Sequence, residues 1–343
     1  HRRDAMHGVK RSDYEAVSKK EREAKLKKIL HYSKLTKVVL QAHRDRLYSP
    51  KMFALTGSLI EINPDFYSLW NYRRECVLDM LAAGKDKALI CRDELKLSEA
   101  GLRKNYKSYY AWYHRIWTIA MGTTDLKSEI QLCTKYLSMD SRNFHCWNYR
   151  RYVMRIGKVA LLDELKFSSS KIDDNFSNYS AWHHRSYIIP QLIEAGDPAD
   201  IQKLVDEEFE LLKQAFYTDP GDQSTWLYHR WLLGQVIGLG VDQDRKASST
   251  EPRKVLVKDK EGQIKILQRE LAMVEELIEI EPDCKWALLT VAMLIGGIKS
   301  RGKSDEGFQE KLKGTFEELI KLDPFRQQYY LDMKKYVSEQ GET

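Results

Sequence analysis

A chain of 343 residues, 43% of them hydrophobic and including 8 Trp and 19 Tyr, has enough apolar surface for two compact domains or for one repeat array. Its longest apolar run, Trp286 to Ile298, falls short of the roughly 20 residues that cross a bilayer, and the basic, polar N-terminus lacks the apolar stretch of a secretory signal. The 56 basic residues nearly balance the 50 acidic ones, leaving +6, and the five Cys form no C-x-x-C pair. A membrane span, a nucleic-acid surface, a disulfide frame and a zinc knuckle are therefore not expected, and reduced thiols in the cytoplasm are.

Residues 1–47 read as an N-terminal tail and one or two leading helices, on which Lys19, Lys20, Arg22, Lys25, Lys27 and Lys28 interleave with Glu15, Glu21 and Glu23 as on a solvated face. Residues 48–343 read as one continuous repeat domain. Five segments align without gaps: Asn63 to Trp70, Asn105 to Trp112, Asp140 to Trp147, Asn175 to Trp182 and Asp219 to Trp226. Seven residues before each Trp stands Asn or Asp; three before it stand Tyr67, Tyr109, Phe144 and Tyr179, with Gln223 the exception. Three after it stand Arg73, Arg115, Arg150 and Arg185, and in the fifth copy the basic residue slips by one to Arg230. The Trp spacings of 42, 35, 35 and 44 residues lie in the range of helical-hairpin repeats.

Local chemistry marks these segments as helix starts. Four residues before the Trp, Ser108, Asn143, Asn178 and Asp222 can accept a hydrogen bond from the free N–H groups of a first turn. The aromatic, the Trp and the Arg then follow at threes and share one helix face. Amphipathic runs such as Leu126 to Leu137 precede each start, so the unit is helix, polar turn, helix. Neither helix buries its face alone, and stacking of units into an all-α solenoid supplies the core. Degraded copies open at Glu281-Pro282-Asp283-Cys284-Lys285-Trp286 and at Leu322-Asp323-Pro324-Phe325-Arg326, and residues 238–262 read as a polar loop or insertion point.

Chemistry-bearing motifs are few: there is no Gly-rich phosphate loop, no G-x-S-x-G and no H-E-x-x-H. His183-His184 fills the slots of Asn71-Tyr72, Tyr113-His114 and Asn148-Tyr149, so it is read as repeat packing rather than as a metal pair. The repeated Trp and Arg are structural by the same argument, with the Arg expected to meet carboxylates or helix-end carbonyls. A variable slot is more informative. Five residues before the Trp the copies read Asp65, Lys107, Arg142, Ser177 and Gly221. There Lys107, with Tyr109 beside it at a helix start, would suit a phosphate ligand.

The segments Asn71-Tyr72-Arg73-Arg74, Trp112-Tyr113-His114-Arg115, Trp147-Asn148-Tyr149-Arg150-Arg151 and Trp182-His183-His184-Arg185 resemble the repeats of protein prenyltransferase α subunits. The opening Met6-His7-Gly8-Val9-Lys10, with the later Glu281 to Thr290 and Leu322 to Arg326, is similar to the type II branch, the Rab geranylgeranyltransferases, in its short form without immunoglobulin-like and leucine-rich-repeat domains. The resemblance implies an α-α superhelix, a crescent wrapped around a β subunit that holds zinc and most of the prenyl-diphosphate pocket, with magnesium a further candidate cofactor. It implies transfer of geranylgeranyl from geranylgeranyl diphosphate to C-terminal cysteines of Rab GTPases brought by a Rab escort protein. The family's Lys-x-Tyr-x-x-Trp context falls on Lys107-Ser108-Tyr109-Tyr110-Ala111-Trp112, which makes Lys107 the expected diphosphate-stabilising residue, with Tyr109 beside it. His145 matches a family position near the subunit interface, with Phe144 in place of the Tyr of farnesyl enzymes. His7 reads either as a displaceable ligand to the partner's zinc or as a residue of a disordered tail. Two alternatives stand beside this reading: the α subunit shared by farnesyltransferase and geranylgeranyltransferase type I, and a non-catalytic helical scaffold.

Overall fold

The computed structural model describes residues 19–196, 198–239, 255–303 and 305–339. Secondary structure among them is helical throughout, and the chain groups into two compact units that divide between Gly157 and Lys158. The first unit holds α1 (Lys19–Arg44) and three hairpins: α2 (Pro50–Ile62) with α3 (Tyr67–Ala82), α4 (Lys87–Lys104) with α5 (Tyr109–Ile119), and α6 (Leu126–Met139) with α7 (Phe144–Gly157). The second holds four: α8 (Leu161–Asp174) with α9 (Tyr179–Ala195), α10 (Pro198–Thr218) with α11 (Gln223–Ile237), α12 (Lys260–Ile280) with α13 (Lys285–Lys299), and α14 (Glu306–Leu322) with α15 (Gln327–Glu339). Within each unit the hairpins stack like on like. In the first, α3 meets α5, α5 meets α7, and α2 meets α4; in the second, α9 meets α11, α11 meets α13, and α10 meets α12. Both degraded copies form hairpins, and the leading segment is one helix where described. The expected polar loop falls largely on residues 240–254, which lie outside the described residues.

The turns of the first five hairpins close the same way, which explains the Asn or Asp seven residues before the Trp. The side-chain oxygens of Asn63, Asn105, Asp140, Asn175 and Asp219 accept the N–H two residues on, at 3.0 to 3.2 Å. The next helix is then capped by Ser108, Asn143, Asn178 or Asp222, whose side chains accept first-turn N–H groups. Every repeat Trp folds back over its own turn: Nε1 of Trp70, Trp112, Trp147, Trp182 and Trp226 donates to the carbonyl six residues earlier, at 2.6 to 2.9 Å. All five rings are buried, so this bond satisfies an indole N–H that would otherwise stand unpaired in the core.

The same carbonyls bind neighbouring repeats together. Pro64 O accepts from Ser108 Oγ at 3.2 Å, and Tyr106 O from Asn143 Nδ2 at 2.9 Å. Asn143 therefore caps α7 and ties it to the turn before α5. Replacing it by Ala removes both and should cost about 1–2 kcal/mol. In thermal melts Asn143→Asp, which keeps the cap and loses the donor, should fall between Asn143→Ala and the parent; equal midpoints for all three would show that neither bond matters.

Within each unit the repeat Arg meets buried carboxylates, as expected, though the sequence did not say which. Arg73 donates through Nε (2.8 Å) and Nη2 (2.7 Å) to Glu94, which also lies 2.8 Å from His114 Nε2. Glu129 accepts from Arg115 Nε (2.7 Å) and Nη2 (2.8 Å) and from the Tyr149 hydroxyl (2.6 Å). Glu208 does the same with Arg185 Nε (2.7 Å) and the Tyr228 hydroxyl (2.7 Å). Each carboxylate is thus held between the Arg of the preceding repeat and the Tyr or His of its own second helix. Burial opposes ionisation of Glu94, but the His114 bond and the Arg73 charge outweigh it and hold the carboxyl below its usual range. Burial pushes the His114 imidazole down, so it stays neutral against a charged Arg–Glu pair.

The fifth copy corrects the expected slip to Arg230. His229, three residues after Trp226, is the buried partner, with Nε2 2.9 Å from Glu270, and Arg230 is exposed. One further residue turns a side chain by about 100° around a helix, away from the face that carries 226 and 229. The helix-start aromatics also differ from expectation: Tyr67, Tyr109, Phe144 and Tyr179 are exposed although the Trp and Arg that follow at threes are buried. Each is the first residue of its helix, beyond the packed middle of the hairpin.

Candidate functional site

Lys107 sits in the turn between α4 and α5, its N–H bonded to Asn105 Oδ1 at 3.0 Å. Its side chain is about half exposed, and Nζ lies 3.1 Å from Asp140 Oδ2 and 5.6 Å from the centre of the Tyr106 ring. Asp140 closes the next turn, between α6 and α7, and its other oxygen accepts the Arg142 N–H at 3.2 Å. Tyr109, the first residue of α5, is 63% exposed. Its ring meets the His145 ring edge-on with centroids 4.0 Å apart, and Phe144 packs against both, 3.9 Å from His145 and 6.0 Å from Tyr109. Burial and the Lys107 charge hold the His145 imidazole below its ordinary range, so it faces this surface as a neutral ring.

The fold thus brings Lys107, Tyr109 and His145 together from two successive repeats of the first unit. Phe144 and Asp140, which sequence reasoning did not include in a site, join them. Around this cluster the helix starts expose more aromatic surface: Tyr67 lies 5.9 Å from Tyr110 by ring centroids, and the Arg74 guanidinium lies 5.1 Å from the Tyr113 ring. Exposed aromatics with interspersed cations are the composition of a surface made to be covered by another molecule, and a half-exposed ammonium at its edge suits an anion.

The other expected site residues are structural or lie elsewhere. Trp70, Trp112, Trp147, Trp182 and Trp226 are core, and Arg73, Arg115, Arg150 and Arg185 are buried. His184 is buried against Glu164 at 2.9 Å while His183 is exposed, so the two rings do not converge. His7 lies outside the described residues. Among the described residues no group of three or more His, Cys, Asp or Glu could hold a metal ion, and no helix is long and apolar enough to cross a membrane.

Comparison with known proteins identifies the repeat and the family. Residues 50–80, 91–122, 126–156, 161–192 and 205–236 match the protein prenyltransferase alpha subunit repeat. The geranylgeranyl transferase type-2 subunit alpha of Dictyostelium discoideum is 35% identical over 341 residues, covering 97% of this chain and 100% of that protein. The chain belongs to the geranylgeranyl transferase type-2 α-subunit family. The bovine member is 42% identical over 242 residues, and the first Arabidopsis thaliana member 44% over 239. These stretches are 42% and 35% of the bovine and plant proteins, so the match with this chain spans less than half of either. A solved structure, Candida albicans protein geranylgeranyltransferase-I complexed with GGPP, shares the fold with a TM-score of 0.65 at 20% identity over 90% of each chain. As a member of the type-2 α-subunit family the chain is one subunit of a protein prenyltransferase, and the all-helical hairpin repeat is the family's architecture.

Proposed function

We propose that this chain pairs with a β subunit to transfer geranylgeranyl from geranylgeranyl diphosphate to C-terminal cysteines of Rab GTPases delivered by an escort protein. The observation that carries the reading is the Lys107–Tyr109–His145 cluster at the edge of the exposed aromatic face of α3, α5 and α7. The aromatic face is the surface for the β subunit, and Lys107 is the charge this chain contributes to the joint site. As the bond between the prenyl carbon and the diphosphate breaks, negative charge builds on the departing oxygens. A fixed ammonium there stabilises the transition state more than the ground state. Tyr109 can place its hydroxyl beside the same oxygens, and the neutral His145 ring supports the Tyr109 ring edge-on without adding a competing charge. In this reading the partner's zinc supplies the acceptor cysteine as a thiolate. The reading leaves the holding of that zinc to the β subunit.

The decisive experiment is co-expression with a type II β subunit and, separately, with a farnesyl or type I β subunit, followed by prenyl-transfer assays. The expected result is a stable 1:1 complex and transfer to Rab with escort protein for the type II pair alone. Activity on short C-a-a-X peptides with the other β subunits would establish the shared α subunit instead. A monomeric chain that forms neither complex would establish the scaffold.

A further inference from the structure

The contact between Lys107 and Asp140 is one of a pair within the first unit. At the preceding step the same two slots meet, where Asp65, five residues before its Trp, accepts from Asn105, seven before the next Trp, at 2.8 Å. At the following step Lys107 and Asp140 fill those slots with opposite charges, 3.1 Å apart. The turn itself does not require a carboxylate at 140. Asn63, Asn105 and Asn175 close the equivalent turns with the same bond at 3.0 to 3.1 Å. In Asp140 one oxygen, Oδ1, makes this turn bond with Arg142 N–H, and the other, Oδ2, is left for Lys107. The negative charge at 140 is therefore directed at Lys107 and not at the fold.

We propose that Asp140 is a positioning residue, an exchangeable counter-ion that holds the Lys107 ammonium before the prenyl diphosphate arrives and reclaims it as inorganic diphosphate leaves. The proposal rests on Lys107 meeting the diphosphate, as read above. Asp140 is pinned by its own turn, so it offers the ammonium a fixed resting place at the rim of the cluster. A partly exposed pair of this kind is weak enough to give way to a ligand carrying several negative charges. Competition from Asp140 lowers the affinity for the ground-state diphosphate and for the diphosphate product, which speeds release. No bond is made or broken in the exchange; one ion pair replaces another.

Asp140→Asn tests this without opening the turn, because the amide oxygen can keep the Arg142 bond and the amide NH2 then faces Lys107 as a second donor. In the reconstituted heterodimer, Asp140→Asn should tighten binding of both geranylgeranyl diphosphate and inorganic diphosphate by about two- to fivefold, the range of a partly exposed ion pair. The gain should vanish in the Lys107→Ala background. Unchanged affinities in Asp140→Asn would overturn the proposal, as would an equal gain without Lys107, which would mean that Asp140 acts by its field alone. Lys107→Ala run alone separates the two levels. If it slows single turnover while Asp140→Asn changes nothing, only the counter-ion idea fails; if it leaves single turnover unchanged, the role of Lys107 fails and the counter-ion role with it.

Discussion

Lys107→Ala in the heterodimer is expected to slow the single-turnover transfer rate by about ten- to a thousandfold. The upper bound follows from what a well-placed charged donor contributes at a developing oxyanion, and the lower from the half-exposed setting of Nζ, where water screens it. Affinity for geranylgeranyl diphosphate should fall much less, because in the resting state the ammonium is shared with Asp140. The division between rate and affinity is the diagnostic feature. A residue that only shaped the turn would alter complex stability and leave the rate of the assembled enzyme intact. An unchanged single-turnover rate would remove Lys107 from the site.

Removing Glu94 should have the largest effect on stability. Its carboxylate is fully buried, bidentate with Arg73 and 2.8 Å from His114. In Glu94→Ala the Arg73 guanidinium keeps the Phe53 carbonyl at 2.8 Å and Thr56 Oγ1 at 3.0 Å, both neutral, so a buried cation loses the carboxylate that balances it. The expected cost is about 3–5 kcal/mol, typical of breaking a buried pair from one side. In a thermal melt that amounts to a drop of roughly 4–7 °C for a chain of this size. Glu94→Gln, which keeps shape and some hydrogen bonding, should lie between. Glu75, half-exposed beside His43 and Tyr48, is the control: its replacement by Ala should cost no more than about 1 kcal/mol. Similar midpoints for the Glu94 and Glu75 variants would show that the buried row carries no special weight.

The carboxylate row also marks where sequence reasoning stopped short. Glu94, Glu129, Glu164 and Glu208 each stand 18 residues before a repeat Trp, so a signal was present. Charged residues on an amphipathic helix ordinarily face water, so local rules give no reason to place these four inside. The carboxylate partners of Arg73, Arg115 and Arg185 lie on the first helix of the following hairpin, 14 to 23 residues away. No local periodicity reports a contact between hairpins. The fifth copy misled for a related reason: matching by residue type chose Arg230, while the helix face, set by 3.6 residues per turn, chose His229.

By itself the sequence determined the hairpin period, the helix starts and the burial of Trp and Arg. These depend on short-range rules: an Asx turn, a cap and side chains at threes on one face, all within eight residues of each Trp. It also singled out Lys107, because a repeat makes its exceptions visible. Only the tertiary structure decided which carboxylates the arginines meet, that the helix-start aromatics face outward, and that Lys107 is held by Asp140 from the next turn. Those outcomes depend on how one hairpin is laid against another. That arrangement is set by the summed packing of buried side chains across the stack, which no single segment of the chain encodes.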